Sequence, residues 1–136
     1  MRPLSLVVLA GVLLLPACST GPTLIKVSGS VNYNQKPLGT YDGLNVIFVP
    51  VVEAGSHHDS YPADVSRTDG SFTVPGRDGL GIPPGKYKVT VNQMSFTASD
   101  ETKKINDLFT LEKTQLIFDI SADTSLTIDL SKSSGK

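Results

Sequence analysis

Residues 57–59 read His-His-Asp, with Tyr61 two places further on. Imidazole and carboxylate are the groups a zinc ion takes, and the same types serve general acid–base work. The spacing argues against a chelate. Neighbouring side chains of an extended chain point to opposite faces, so His57 and His58 do not converge on one ion. A third ligand would have to come from elsewhere. The run is expected as a solvated loop, and neither a metal nor a cofactor is expected. Serine, histidine and aspartate are present in sufficient number for a catalytic triad, but no Gly-x-Ser-x-Gly elbow presents a nucleophile. Aromatic rings could stack on sugars. Tyr33, Tyr41 and Tyr61 are candidates and Trp is absent. Alternation turns Tyr33 inward, which leaves Tyr41 and Tyr61 as possible ligand-facing aromatics. The Gly- and Pro-rich residues 75–85 superficially suggest a phosphate cradle, but no helix follows to supply the N-terminus that holds an anion. Turn chemistry accounts for them, and no catalytic residue is expected.

Cys18 is the one cysteine in the sequence, so no disulfide can form within the chain. It follows Arg2 and an apolar run over 4–15, interrupted by Ser5 and Gly11. The run is too short for a bilayer, which takes about 20 residues, and has the form of an export signal. It stops at Leu15-Pro16-Ala17-Cys18, which resembles the lipobox of bacterial lipoproteins. Leu15, Ala17 and Cys18 fit that pattern; Pro16 departs from the usual small residue. The resemblance implies cleavage before Cys18, a diacylglyceryl thioether on its sulfur, and a lipid-anchored protein of the bacterial cell envelope. Ser19 does not resemble an inner-membrane retention signal, which favours the outer membrane or a periplasm-facing site. Each buried methylene adds about 0.8 kcal/mol, so two or three acyl chains hold a protein on a membrane.

The sequence has 12 basic and 13 acidic residues; without residues 1–17 the balance is 11 against 13. No positive face suited to nucleic acid is implied. Length allows one domain, and 12 Gly with 9 Pro imply many turns. The expected organisation is a signal peptide over 1–17, a polar tether over 18–23, one domain over 24–131 and a frayed tail over 132–136.

Residues 67–91 organise that domain. Asp69-Gly70 signals a tight turn. Phe72 and Val74 then alternate with Ser71 and Thr73, the pattern of a half-buried strand. Pro75-Gly76 ends it, since proline cannot donate to a ladder. After Pro83-Pro84-Gly85, the residues Tyr87, Val89 and Val91 fall on one face, with Lys86, Lys88 and Thr90 on the other. Upstream, 24–33 places Ile25, Val27, Val31 and Tyr33 on one face. Residues 44–52 are apolar on both faces apart from Asn45 and Pro50, which suits a strand covered on both sides or one whose outer face meets another segment. A polar loop is expected over 53–62, and a short strand over 63–67. Residues 95–112 read as a long loop with at most two helical turns, its apolar side chains covering a sheet edge. Leu116, Phe118 and Ile120, then Leu126, Ile128 and Leu130, mark two last strands. About seven short strands predict an all-β, antiparallel Greek-key β-sandwich.

Three fragments together resemble a known family. Val27-Ser-Gly-Ser-Val-Asn-Tyr-Asn-Gln-Lys-Pro-Leu38, Thr68-Asp-Gly-Ser-Phe72 and Gly81-Ile-Pro-Pro-Gly-Lys-Tyr-Lys-Val-Thr-Val91 are similar to segments of carboxypeptidase-regulatory-like, transthyretin-like domains of small bacterial lipoproteins, planctomycetal ones especially. The resemblance covers about 24–131 and implies a transthyretin-like sandwich serving as a structural or protein-interaction module, not an enzyme. Its partner would be an envelope protein, with a glycan as the alternative. Hydroxyisourate hydrolases share that fold but end in Tyr-Arg-Gly-Ser; this chain ends Lys-Ser-Ser-Gly-Lys. Related pilin domains join first and last strands through isopeptide bonds. Lys26 and Asp129 are the plausible pair here, and both fall on polar faces, so no cross-link is expected.

Overall fold

The structure, a computed structural model, describes residues 21–33, 36–37, 43–52, 59–93 and 100–131. Most of the expected alternations become strands. In chain order these are β1 (Val27–Tyr33), β2 (Lys36–Pro37), β3 (Leu44–Pro50), β4 (Tyr61–Asp64), β5 (Ser71–Val74) and β6 (Gly85–Gln93), then helix α1 (Asp100–Leu108), β7 (Ile117–Ile120) and β8 (Thr124–Asp129). They form two sheets. In the first, β1 is central and pairs directly with β8, with β5 through residues 27–30 and with β2 through Asn32 and Tyr33. The second runs β4-β3-β6-β7 and is antiparallel throughout.

The inner faces hold what the alternation put there. Val27, Val31, Phe72, Val74 and Ile128 come from one sheet; Val46, Phe48, Tyr87, Val89 and Val91 come from the other; all are buried in one cluster. The Phe48 and Phe72 rings meet across the sheets at 6.1 Å between centroids. Each such side chain contributes roughly 1.5–3 kcal/mol before entropy is subtracted. The arrangement is a sandwich of two packed sheets. Phe118 and Leu126, on the apolar faces of the last two strands, are only partly buried against it.

Gly29 fills a gap that no larger residue could. It pairs with Phe72 on one side and with Leu126 on the other. A Cβ there would fall on the Leu126 carbonyl oxygen and 2.8 Å from the Phe72 ring. The missing side chain leaves room for that ring on the inner face.

The Asp69-Gly70 turn forms as expected. The Asp69 carboxylate accepts from the Ser71 N–H at 3.0 Å and from its hydroxyl at 2.7 Å. Those bonds, the Ser71 hydroxyl first, hold the Asp69 carboxyl below its ordinary range. The strands it joins pair only next to the turn, through Val65 and Phe72, and then diverge into different sheets.

Three features differ from expectation. First, β1 and β8 run parallel, where an antiparallel sandwich was expected; the register sets Val27 opposite Thr124 and Asn32 opposite Asp129. A period-two pattern carries no strand direction. Second, β4 begins at Tyr61, inside the expected loop, and contains Pro62. Proline is tolerated because, among the described residues, β4 is an edge strand bonded in the sheet to β3 alone. Third, α1 has nine residues, about two and a half turns.

That helix and the chain after it do cover a sheet edge. Beyond β7, the Val89 N–H donates to the Leu116 carbonyl and the Val91 N–H to the Phe109 carbonyl. The Asn106 side chain then acts as a further strand residue: it accepts from the Gln93 N–H at 2.7 Å and donates to the Gln93 carbonyl at 2.9 Å. The buried Thr114 hydroxyl donates to the Val89 carbonyl at 2.7 Å. An edge strand left bare would invite pairing with another chain. Ile105 and Phe109, one helical turn apart, are the buried anchors. On the outer face, half-buried Ile47 and Val49 line a hollow with Phe109 and Leu111, the covering segment the doubly apolar 44–52 run called for.

Candidate functional site

Register sorts the loops into two ends. One end carries Ile25, Val51, Val52, residues 59–61, the 75–84 loop and residues 121–123; the other carries Tyr33, the Asp69 turn, Gln93 and Leu130. At the first end, Ile25 and Ile82 exchange backbone hydrogen bonds of 2.7 and 2.9 Å. The 75–84 loop is drawn tight. Gly76 and Gly81 are bridged, both have positive φ, and a Cβ on Gly76 would strike the Gly81 carbonyl. Between them Arg77–Gly79 makes a single 3₁₀ turn, with Asp78 at φ 60.

This loop and residues 59–62 enclose an open cleft of about 370 Å³. Arg77 reaches across it to Asp59, a salt bridge of 2.6 Å. Both side chains are mostly exposed, so the pair adds at most about 1 kcal/mol. Tyr61 also lines the cleft. It is half-buried and meets the Tyr87 ring edge-on, with centroids 6.1 Å apart and planes at 69°. Tyr87 is buried and its hydroxyl donates to the Pro83 carbonyl at 2.6 Å. Burial first, and then the neighbouring Tyr61, push the Tyr87 phenol up to about 12. A planar cation, a carboxylate and an aromatic ring can hydrogen-bond and stack on a polar ligand.

The expected site residues fare unequally. Tyr61 lies in the cleft, but its ring is partly committed to Tyr87. Cys18, Tyr41, His57 and His58 lie outside the described residues. Tyr33 is half-buried and lines a second cleft, of about 270 Å³, with Lys104, Ile105 and Leu130 at the opposite end. Among the described residues no three His, Cys, Asp or Glu are grouped to hold a metal. Lys26 and Asp129 are kept apart by the parallel register. Asp129 stands opposite Asn32, six residues from Lys26, or roughly 20 Å along β1. The Lys26 backbone N–H is bonded instead to the Asp123 carboxylate at 2.8 Å.

Arg77 was missed by sequence reasoning as a site residue. Its signal was faint: one long cation inside Pro-Gly-Arg-Asp-Gly, where every neighbour spoke for a turn. Leu80 was missed too. It stands in the same polar loop with no alternation to turn it inward, and it is 60 % exposed.

No family model matches the chain, and no curated protein does. Crystal structures of two proteins of the DUF3823 family are similar to it. The one from Bacteroides ovatus ATCC 8483 has a TM-score of 0.45 and 16 % identity over 78 % of this chain and 43 % of its own. The one from Parabacteroides merdae ATCC 43184 has a TM-score of 0.46 and 13 % identity over 80 % of this chain and 46 % of its own. The chain thus spans less than half the length of either. Among the described residues no helix is long and apolar enough to cross a membrane.

Proposed function

We propose that this protein is a non-catalytic, lipid-anchored component of a bacterial cell envelope. Its sandwich is a structural or protein-interaction module held to the membrane by Cys18. The observation that supports this most is the lone cysteine directly after a 12-residue apolar run and Leu15-Pro16-Ala17, a few residues before the first core residue, Ile25. The finer fold reading is a Greek-key, transthyretin-like sandwich. It is supported by the chain changing sheets from β2 to β3, β4 to β5, β5 to β6 and β7 to β8. The Tyr87 hydroxyl bonded four residues back to Pro83 is a further sign, similar to the tyrosine corner of immunoglobulin-type sandwiches.

A second reading is a glycan-binding module, favoured by the cleft that gathers Tyr61, Arg77 and Asp59. Two experiments separate these ideas. Cells expressing the protein are fed an alkyne fatty acid; the wild-type protein should take up label and sediment with membranes, and Cys18→Ala should do neither. Label on Cys18→Ala would refute the anchor. The soluble domain, residues 19–136, is then screened on a glycan array. Tight binding to one glycan class, lost in Tyr61→Ala and Arg77→Ala, would replace the first reading with the second.

A further inference from the structure

Among the described residues, the exposed apolar side chains are unevenly placed. Val51 is 49 % exposed, Val52 42 % and Leu80 60 %. All three sit at the end of the sandwich where Ile25 enters, because Val51 bonds to Lys86 beside the start of β6 and Leu80 lies in the loop pinned to Ile25 through Ile82. Among the described residues the other exposed large apolar side chains are scattered: Leu108 lies with Tyr33 and Leu130 at the opposite end, Leu111 lies over the outer face beside Ile47 and Val49, and Ile117 is on β7.

We infer that this end, with Val51, Val52 and Leu80 foremost, rests in the interfacial layer of the bilayer that the lipid anchor enters. This rests on the anchoring reading above. From Cys18 to Ile25 is seven residues, a reach of at most about 25 Å fully extended. Ile25 is tied by two backbone bonds to the loop that bears Leu80. The tether therefore holds these side chains within reach of the lipid headgroups, while the Asp69 turn lies a further strand length away. Charge at this end is mixed among the described residues: Lys26, Arg77 and Lys86 against Asp59, Asp78, Asp119 and Asp123. Contact is therefore driven by apolar insertion and does not require anionic lipid, unlike a polybasic surface. Docked this way, the cleft of Tyr61 and Arg77 faces the headgroups and the opposite end, with α1, faces outward.

The test uses the full lipidated chain reconstituted in phosphatidylcholine vesicles. Leu80→Cys, and separately Val52→Cys, carries an environment-sensitive nitrobenzoxadiazole thiol label, with Asp69→Cys at the far end as reference. Both positions tolerate the change because both are exposed. Spin-labelled lipid should quench the label at 80 and at 52 at least about threefold more than at 69, as expected for side chains 5–10 Å into the interface. The excess should persist in high salt. Flotation of the same samples reports the anchor separately. Vesicles that float the protein but quench 80, 52 and 69 alike would overturn the docking and leave the anchor standing. Failure to float would overturn both.

Discussion

Gly29→Ala puts the packing of the sandwich under its sharpest test. The added methyl meets the Leu126 carbonyl of β8 on one side and the Phe72 ring, at 2.8 Å, on the other. Neither neighbour yields cheaply. Leu126 is held by the β1–β8 ladder, and Phe72 is packed against Phe48 in the core. One extra methylene in a close-packed site costs about 1–3 kcal/mol. Restricting the unfolded chain returns roughly 0.4–1 kcal/mol. The expected net loss is therefore about 1–2 kcal/mol, and more for Gly29→Val. Urea unfolding of residues 19–136, followed by far-UV circular dichroism and tyrosine fluorescence, measures it. With a slope of roughly 1–3 kcal/mol per molar urea, the midpoint should fall by about 1 M. Thr73→Ala, on the exposed face of β5, should stay within about 0.5 kcal/mol of wild type. A Gly29→Ala midpoint at or above that of wild type would refute the close approach of β5 and β8 to β1.

Tyr87→Phe removes the hydroxyl bonded to Pro83 and should cost about 1 kcal/mol in the same titration. Because the folded Tyr87 phenol lies near 12 against about 10 unfolded, its contribution is complete below pH 10 and is lost as pH rises through 12. Wild-type stability should thus fall across that window, and Tyr87→Phe should flatten the fall. Asp69 works in the opposite sense. Its lowered carboxyl contributes stability above its ordinary value near 3.8, lost as pH falls through the folded value, so Asp69→Asn should weaken the acid dependence measured by thermal melts. Asn106→Ala should cost about 1–2 kcal/mol and speed amide exchange at Gln93, since it deletes both bonds closing the β6 edge. Phe48→Ala, in the centre of the core, should cost roughly 3–5 kcal/mol by urea titration.

Much of the fold was legible because burial and alternation coincide. Tyr87, Val89 and Val91 are buried while Lys86 is exposed and Lys88 half-buried, so the inner face of β6 is legible in the sequence alone. Phe72 with Val74 and Val27 with Val31 read equally well. Direction and partner did not. Ser125 to Leu130 alternates the same way whether β8 lies parallel or antiparallel to β1, and only the path of the intervening chain decides. Tyr61-Pro62 was hidden because proline speaks against a strand unless one knows that the strand is an edge. In the cleft, Tyr61 was visible as an aromatic in a polar run. Arg77, which lines the same cleft, was not, because β4 and the loop after β5 reach that end from different sheets. Leu80 shows the converse: a side chain with no period to place it is read as loop, and its exposure emerges only from the packing around it.

The anchor decides the functional account, and intact mass analysis of the amino-terminal peptide of protein purified from membranes measures it directly. The account predicts a chain that begins at Cys18 with a diacylglyceryl group on its sulfur. A mature chain that begins at any other residue, or that keeps Cys18 as a free thiol, would contradict it.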